Sequence, residues 1–261
     1  MTTFPTLFLS HGSPMLAIRD SAARRFLQGL GASLPRPEAV IVVSAHWETA
    51  GAPAVSLAAR PDTIHDFGGF PRALFEIRYP APGAPAAAER AASLLEEAGM
   101  AVGRSAVRGL DHGAWVPLSL IYPDAGIPVA QLSIVRGAGP AEHARLGLAL
   151  AALRGEGVLL VGSGSLTHNL HEYRGQDIDA PAPDWVSQFE RWMKARLEAG
   201  DRAALLDYRR AAPHAVRNHP TEEHLLPLFV AMGAAGAGAR ASRLHASVEH
   251  GVLAMDAYAF E

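Results

Sequence analysis

The chain has 261 residues, enough for one large domain or two small ones at ~150 residues per domain. A net charge of −3, from 23 Lys+Arg against 26 Asp+Glu, offers no basic surface for nucleic acid or an anionic membrane. The chain has no cysteine, which excludes disulfides, thiolate metal sites and cysteine nucleophiles and leaves His, Asp or Glu to hold any metal.

The N-terminal Met1-Thr2-Thr3-Phe4-Pro5 lacks the basic start of a secretory leader. The most apolar late stretch, Leu225 to Gly238, carries Pro227 and is too short to span a bilayer. A soluble, cytoplasmic protein is expected.

In chain order, the first apolar run is Thr6–Ser10, followed by Ala39–Ser44, Ile127–Ile134 and Gly157–Gly162. Continuous rather than alternating apolarity predicts strands covered on both faces. Pro128 suits the start of its strand, where a missing N–H is tolerated. Between the strands, Pro85 to Gly99 opens on proline and ends on glycine, as a helix does. Pro140 to Gly155 reads the same way, and Asp184 to Gly200 places Trp185, Phe189, Trp192 and Leu197 near one face. Asn218 or His219 could cap a further helix with Pro220 at its first position, which would put Glu222, Glu223 and His224 in the first turn. Ala231 to Ala241 reads as a helix end running into a loop. The expected fold is a single α/β domain over residues 1–261. Its central sheet is mostly parallel or mixed, flanked by helices, with the site at the carboxyl ends of the strands.

Histidine is the unusual component, with twelve in the chain. Three strands are each followed by one: Thr6–Ser10 by His11, Ala39–Ser44 by His46 after Ala45, and Gly157–Gly162 by His168 after Ser163–Thr167. Parallel strands would gather these imidazoles at one sheet edge, where imidazole suits iron, zinc, copper or nickel. His224, or the adjacent Glu223, is a fourth candidate. His65 and His112 sit beside aromatics in turn-rich segments and read as walls of a pocket for a flat apolar ligand. His143, His214, His245 and His250 read as surface or structural residues, His171 as a weak candidate, and Trp185 and Trp192 as core. Gly162-Ser-Gly-Ser165 fits neither a dinucleotide fingerprint nor a phosphate loop.

Six segments together resemble the class III extradiol ring-cleavage dioxygenases, a LigB-like superfamily, and within it the 4,5-DOPA extradiol dioxygenase group. They are Leu9–Pro14, Val43–Trp47, Ile64–Pro71, Asp111–Trp115, Ser163–Leu170 and Glu223–Leu228. The resemblance implies that His11, His46 and His224 hold the metal, with Glu223 the alternative third ligand. It implies that His168 lies beside the metal as acid/base or as a further ligand, and that His112 binds substrate or assists proton transfer. It also implies Fe(II) for activity, with Zn(II) able to occupy the isolated protein, and a catechol and O₂ as the reactants. Trp47, Phe67, Phe70 and Trp115 are the expected ring contacts. A zinc hydrolase on the same scaffold and a non-catalytic, MEMO-type metal-binding protein are the competing readings.

Overall fold

The computed structural model describes residues 3–261; Met1 and Thr2, part of the stretch read for a leader, lie outside the described residues. The strands are β1 (Thr6–Ser10), β2 (Ala39–Ala50), β3 (Ala54–Ser56), β4 (Gly103–Ser105), β5 (Val129–Arg136), β6 (Val158–Gly164), β7 (Ala241–His245), β8 (Val248–Glu249), β9 (Leu253–Ala254) and β10 (Ala257–Phe260). Eight of them form one mixed sheet in the order β4-β3-β5-β2-β6-β1-β10-β7, and β8 with β9 makes a small hairpin. β5, β2, β6 and β1 run parallel through the centre. β10 and β7 continue one side antiparallel, and β3 pairs antiparallel with β5 on the other.

The central strands are apolar throughout because both faces are covered. Ala39, Ile41 and Val43 pack into one core with helices Pro85–Glu97, Pro140–Ala149 and Leu226–Ala234. Val40 and Val42 enter the other core, with helices Ala22–Ser33 and His112–Ile121. The period-2 geometry of a strand divides one apolar run between two layers. No helix among the described residues is long and apolar enough to cross a membrane.

Punctuation residues act where the sequence places them. Pro85 opens its helix, and Gly99 leaves it with a φ of 78°. Asp184–Ala199 closes on Gly200 at φ 66°. The helix from Pro140 ends sooner than expected, at Ala149, and Ala151–Glu156 forms a 3₁₀ turn instead. Leu150 and Leu153 are both fully buried, and the three-residue period of the turn stacks them on one face, toward the core.

Two expectations near the site are corrected. β2 runs through to Ala50, so His46 lies inside the strand rather than after it. The pairing with β5 jumps from Ser44↔Ser133 to Glu48↔Ile134, and Ala45–Trp47 bulge out of register between them. The helix expected from Pro220 does not form. Asn218 closes the short helix Ala215–Asn218, and both Asn218 and His219 are fully buried, bonded to the Trp185 and Leu166 carbonyls. Those bonds draw both side chains into the core and away from the chain after Pro220. The helix begins instead at Leu226, with Pro227 in its first turn, and His224 lies in the turn before it.

Candidate active site

The carboxyl ends of β1, β2 and β6 share one edge because the three strands are parallel neighbours. His11 follows β1 directly, and its N–H donates to the Gly164 carbonyl at the end of β6 at 2.9 Å. His46 sits on the β2 bulge. Its own N–H donates to Ser44 Oγ at 3.2 Å, and Arg108 reaches its carbonyl at 3.2 Å. Gly162 and Gly164 account for the placement of His224: a Cβ on either would meet the Pro227 or His224 carbonyl oxygen at 2.3 and 2.0 Å. The glycine-rich end of β6 thus admits the chain that carries His224, and Ser165 N–H donates to the His224 carbonyl at 2.8 Å.

Ligand atoms of His11, His46 and His224 lie within 4.8 Å of one another, and the Nε2 atoms of His11 and His46 are 3.0 Å apart. Hydrogen bonds on the far side of two rings set the tautomers. Ser163 Oγ donates to the Gly113 carbonyl and therefore accepts from His11 Nδ1, 3.0 Å away. Glu223 Oε1 accepts from His224 Nδ1 at 2.9 Å. Both arrangements leave a bare Nε2. Burial pushes His11 and His224 well below the usual imidazole range and holds His46 at about 4, so the rings are neutral at pH 7. Three converging neutral imidazoles, each able to offer a lone pair, suit a divalent transition metal.

Two further histidines flank this set. The His168 ring stacks on His224, with centroids 3.5 Å apart and planes 9° from parallel, and burial holds it at about 4. A ligand atom of His168 also lies within 4.8 Å of ligand atoms of Glu223 and His224. His112 is the first residue of helix His112–Ile121, capped by Asp111, and its ring centroid is 3.9 Å from that of His46. Asp66 Oδ1 accepts from both His112 N–H and His112 Nδ1, at 2.9 and 3.0 Å. Asp66 Oδ2 is 3.7 Å from His46 Nδ1. Burial alone would raise the Asp66 carboxyl, but the His112 hydrogen bonds and charge outweigh it and hold it at about 2.

All five histidines line one cavity of 510 Å³, together with Phe67 and Phe70. The other expected ring contacts do not reach it. Trp47 lies under the Arg108 guanidinium at 5.1 Å, supporting the arginine that holds the His46 carbonyl. Trp115 is fully buried and donates to the Ile64 carbonyl at 2.9 Å, tethering the segment that carries Asp66 and Phe67. His65 packs among Phe67, Phe75 and Trp115 and donates to the Ile77 carbonyl.

His171 is exposed and outside the cavity lining. His143 is buried and structural, its Nε2 accepting from Val135 N–H and its Nδ1 donating to Gly139 O. His245 stacks on Phe26, and His214 reaches Gln188. His250, read as structural, lines the cavity. Sequence reasoning missed Asp66, Ser163, Arg19 and Tyr173. Asp66 lies within the Ile64–Pro71 motif, one residue from His65, so that motif held the signal. Arg19 and Tyr173 sit in segments without a motif.

The chain matches the family described as the catalytic LigB subunit of aromatic ring-opening dioxygenase over residues 5–258. It is 43 % identical over 259 residues to a 4,5-DOPA dioxygenase extradiol of Beta vulgaris, covering 98 % of this chain and 96 % of the relative. It is 44 % identical over 236 residues to a protein of the same name from Escherichia coli (strain K12), covering 89 % and 86 %. A crystal structure of an uncharacterized protein from Escherichia coli K12 superposes with a TM-score of 0.82 at 36 % identity, covering 98 % of this chain and 99 % of that one. The histidine-lined cavity at the strand ends therefore lies in a chain that belongs to the LigB family and is an extradiol, aromatic ring-opening dioxygenase.

Proposed function

We propose that the enzyme opens the ring of a catechol carrying a DOPA-type side chain, with Fe(II) held by His11, His46 and His224. The observation that carries this reading is the convergence of three neutral imidazoles on the floor of a cavity walled by Phe67 and Phe70. Ferrous iron, when bound there, supplies the one-electron chemistry that allows dioxygen to react with a catechol.

The chain's own residues then divide the work. Phe67 and Phe70 present edges and faces to a flat ring and exclude water from it. His112 donates its Nδ1 proton to Asp66, which leaves Nε2 free to accept a proton from a catechol hydroxyl. His168, neutral at pH 7, can hold the second proton and return it to the opening product. Glu223 stays on His224 Nδ1, where it orients the imidazole and raises its basicity. On this assignment Glu223 supports the ligand and is not one itself.

The test is oxygen uptake by protein loaded anaerobically with Fe(II) and offered a panel of catechols, with metal analysis of the same sample. Uptake with formation of a yellow semialdehyde is expected. Absence of both with every catechol overturns the reading. Zinc binds the same imidazoles more tightly than ferrous iron, so protein purified in air is expected to carry zinc and to stay inactive until exchanged. Hydrolytic turnover without O₂ would favour zinc chemistry instead.

A further inference from the structure

A second, small cavity of about 10 Å³ adjoins the main one, and the two share Ser13, Met15, Arg19 and His250. Glu249 also lines the small cavity and is 6 % exposed. Glu249 Oε1 is buried and has no hydrogen-bond partner among the described residues. A buried carboxylate oxygen without a donor is costly, and its persistence points to a donor brought from outside the chain.

Arg19 faces the same place. It is exposed, and its guanidinium has no ion pair or hydrogen bond among the described residues. Its neighbours differ. Arg24 donates to the Leu16 and Ala17 carbonyls, and Arg25 pairs with Asp20. Arg19 is also the only Lys, Arg, Asp or Glu in the lining of the larger cavity among the described residues. His250 donates its Nδ1 proton to the Gln176 carbonyl at 2.8 Å, which leaves Nε2 as an acceptor. A cation, a carboxylate and a neutral acceptor thus line the small cavity together, and two of them, Arg19 and His250, line the larger one as well.

We infer that Arg19, Glu249 and His250 form a subsite for the head group of an α-amino acid. Arg19 pairs with the carboxylate, for which its planar fork is suited. Glu249 Oε1 and His250 Nε2 accept from the ammonium group, which offers three donors. The small cavity has room for one polar group of that size and not for a ring. The inference rests on the catechol reading of the larger cavity, which puts the ring at the histidines and its side chain at this boundary. What it adds to that reading is the residues that hold the zwitterionic end of the side chain.

The experiment measures dissociation constants by anaerobic calorimetry on the Fe(II)-loaded protein. The four ligands are DOPA, 3,4-dihydroxyphenylpropionate, dopamine and 4-methylcatechol. Arg19→Gln is expected to weaken the two carboxylate-bearing ligands about ten- to hundredfold and to leave dopamine and 4-methylcatechol unchanged. Glu249→Gln is expected to weaken DOPA and dopamine and to spare the other two. Equal losses across all four ligands, or none in either variant, overturn the subsite. Arg19 is exposed, so its variant carries the test alone if the Glu249 variant fails to fold. Oxygen uptake is followed in parallel. Discriminating binding without uptake defeats the dioxygenase reaction and leaves the subsite standing, and uptake with a flat binding pattern does the reverse.

Discussion

Glu223 and His224, adjacent in the chain, are joined by a hydrogen bond of 2.9 Å from the imidazole Nδ1 to the carboxylate. Two residues that compete for one ligand position on paper thus form a single unit, with the carboxylate behind the ring. His224→Ala is expected to abolish stoichiometric metal binding. Glu223→Gln is expected to retain the metal and weaken it about 10–100-fold. Metal titration with a competing chelator distinguishes the two variants. The assignment fails if Glu223→Gln is the one that loses the metal.

Asp66 has the corresponding place behind His112. Asp66→Asn replaces a charged, acceptor-only group with a neutral amide that can donate as well as accept, so the ring is no longer held to the tautomer with a bare Nε2. Steady-state oxygen uptake is expected to show a kcat lower by about 10–100-fold, with KM for a neutral catechol little changed. A large rise in KM at normal kcat would instead place Asp66 in substrate binding.

The metal-free protein is expected to lose stability on acidification. Burial holds His46, His168 and His219 at about 4, against 6.5 for the open chain. The unfolded chain therefore binds more protons than the folded one across that window. This contribution to stability is full above about 6.5 and is lost as pH falls toward 4. Asp256 works in the opposite sense. Burial raises its carboxyl to about 7, with Glu190 adding to the rise and Arg243 opposing it. The folded state takes up that proton first, so acidification from 7 stabilises it. Denaturant unfolding of metal-free protein at pH 8, 6.5 and 5 is expected to show a net fall, steeper in Asp256→Asn and shallower in His219→Gln.

Gly164→Ala places a Cβ 2.0 Å from the His224 carbonyl oxygen, an overlap between backbone-fixed atoms that no rotamer relieves. A stability loss of about 1–3 kcal/mol is expected, with His224 displaced and metal stoichiometry reduced. Gly51→Ala serves as the comparison. Its φ of 78°, unlike that of Gly164, lies in the left-handed region and strains an alanine locally, but it has open space around it and is expected to keep the metal.

The central sheet was legible because a strand buried on both faces leaves an unbroken apolar run, as in Ala39–Val43, and parallel strands bring their carboxyl ends to one edge. The histidines at those ends followed from that geometry. His224 was legible as a residue but not as a place, since the turn that holds it depends on Asn218 and His219 being drawn into the core by partners far along the chain. The four aromatic residues expected around the ring divided evenly for a similar reason. Trp47 and Trp115 each hold a neighbouring segment, and local sequence does not distinguish a residue that touches a ligand from one that positions its neighbour. Arg19 and Glu249 were invisible because no motif surrounds them and their proximity arises only when β8 folds back against the chain after β1.

The glycine pair at the end of β6 has a consequence for assembly. His11 follows the first strand, His46 lies in an internal one and His224 comes from a turn more than two hundred residues after His11. The turn reaches the others only by lying across Gly162 and Gly164. No fragment that stops short of that turn contains all three imidazoles, so a chain emerging from the ribosome cannot bind metal in this way until nearly all of it has been made. On the assignment proposed above, capture of a metal by all three imidazoles is therefore a late event in synthesis.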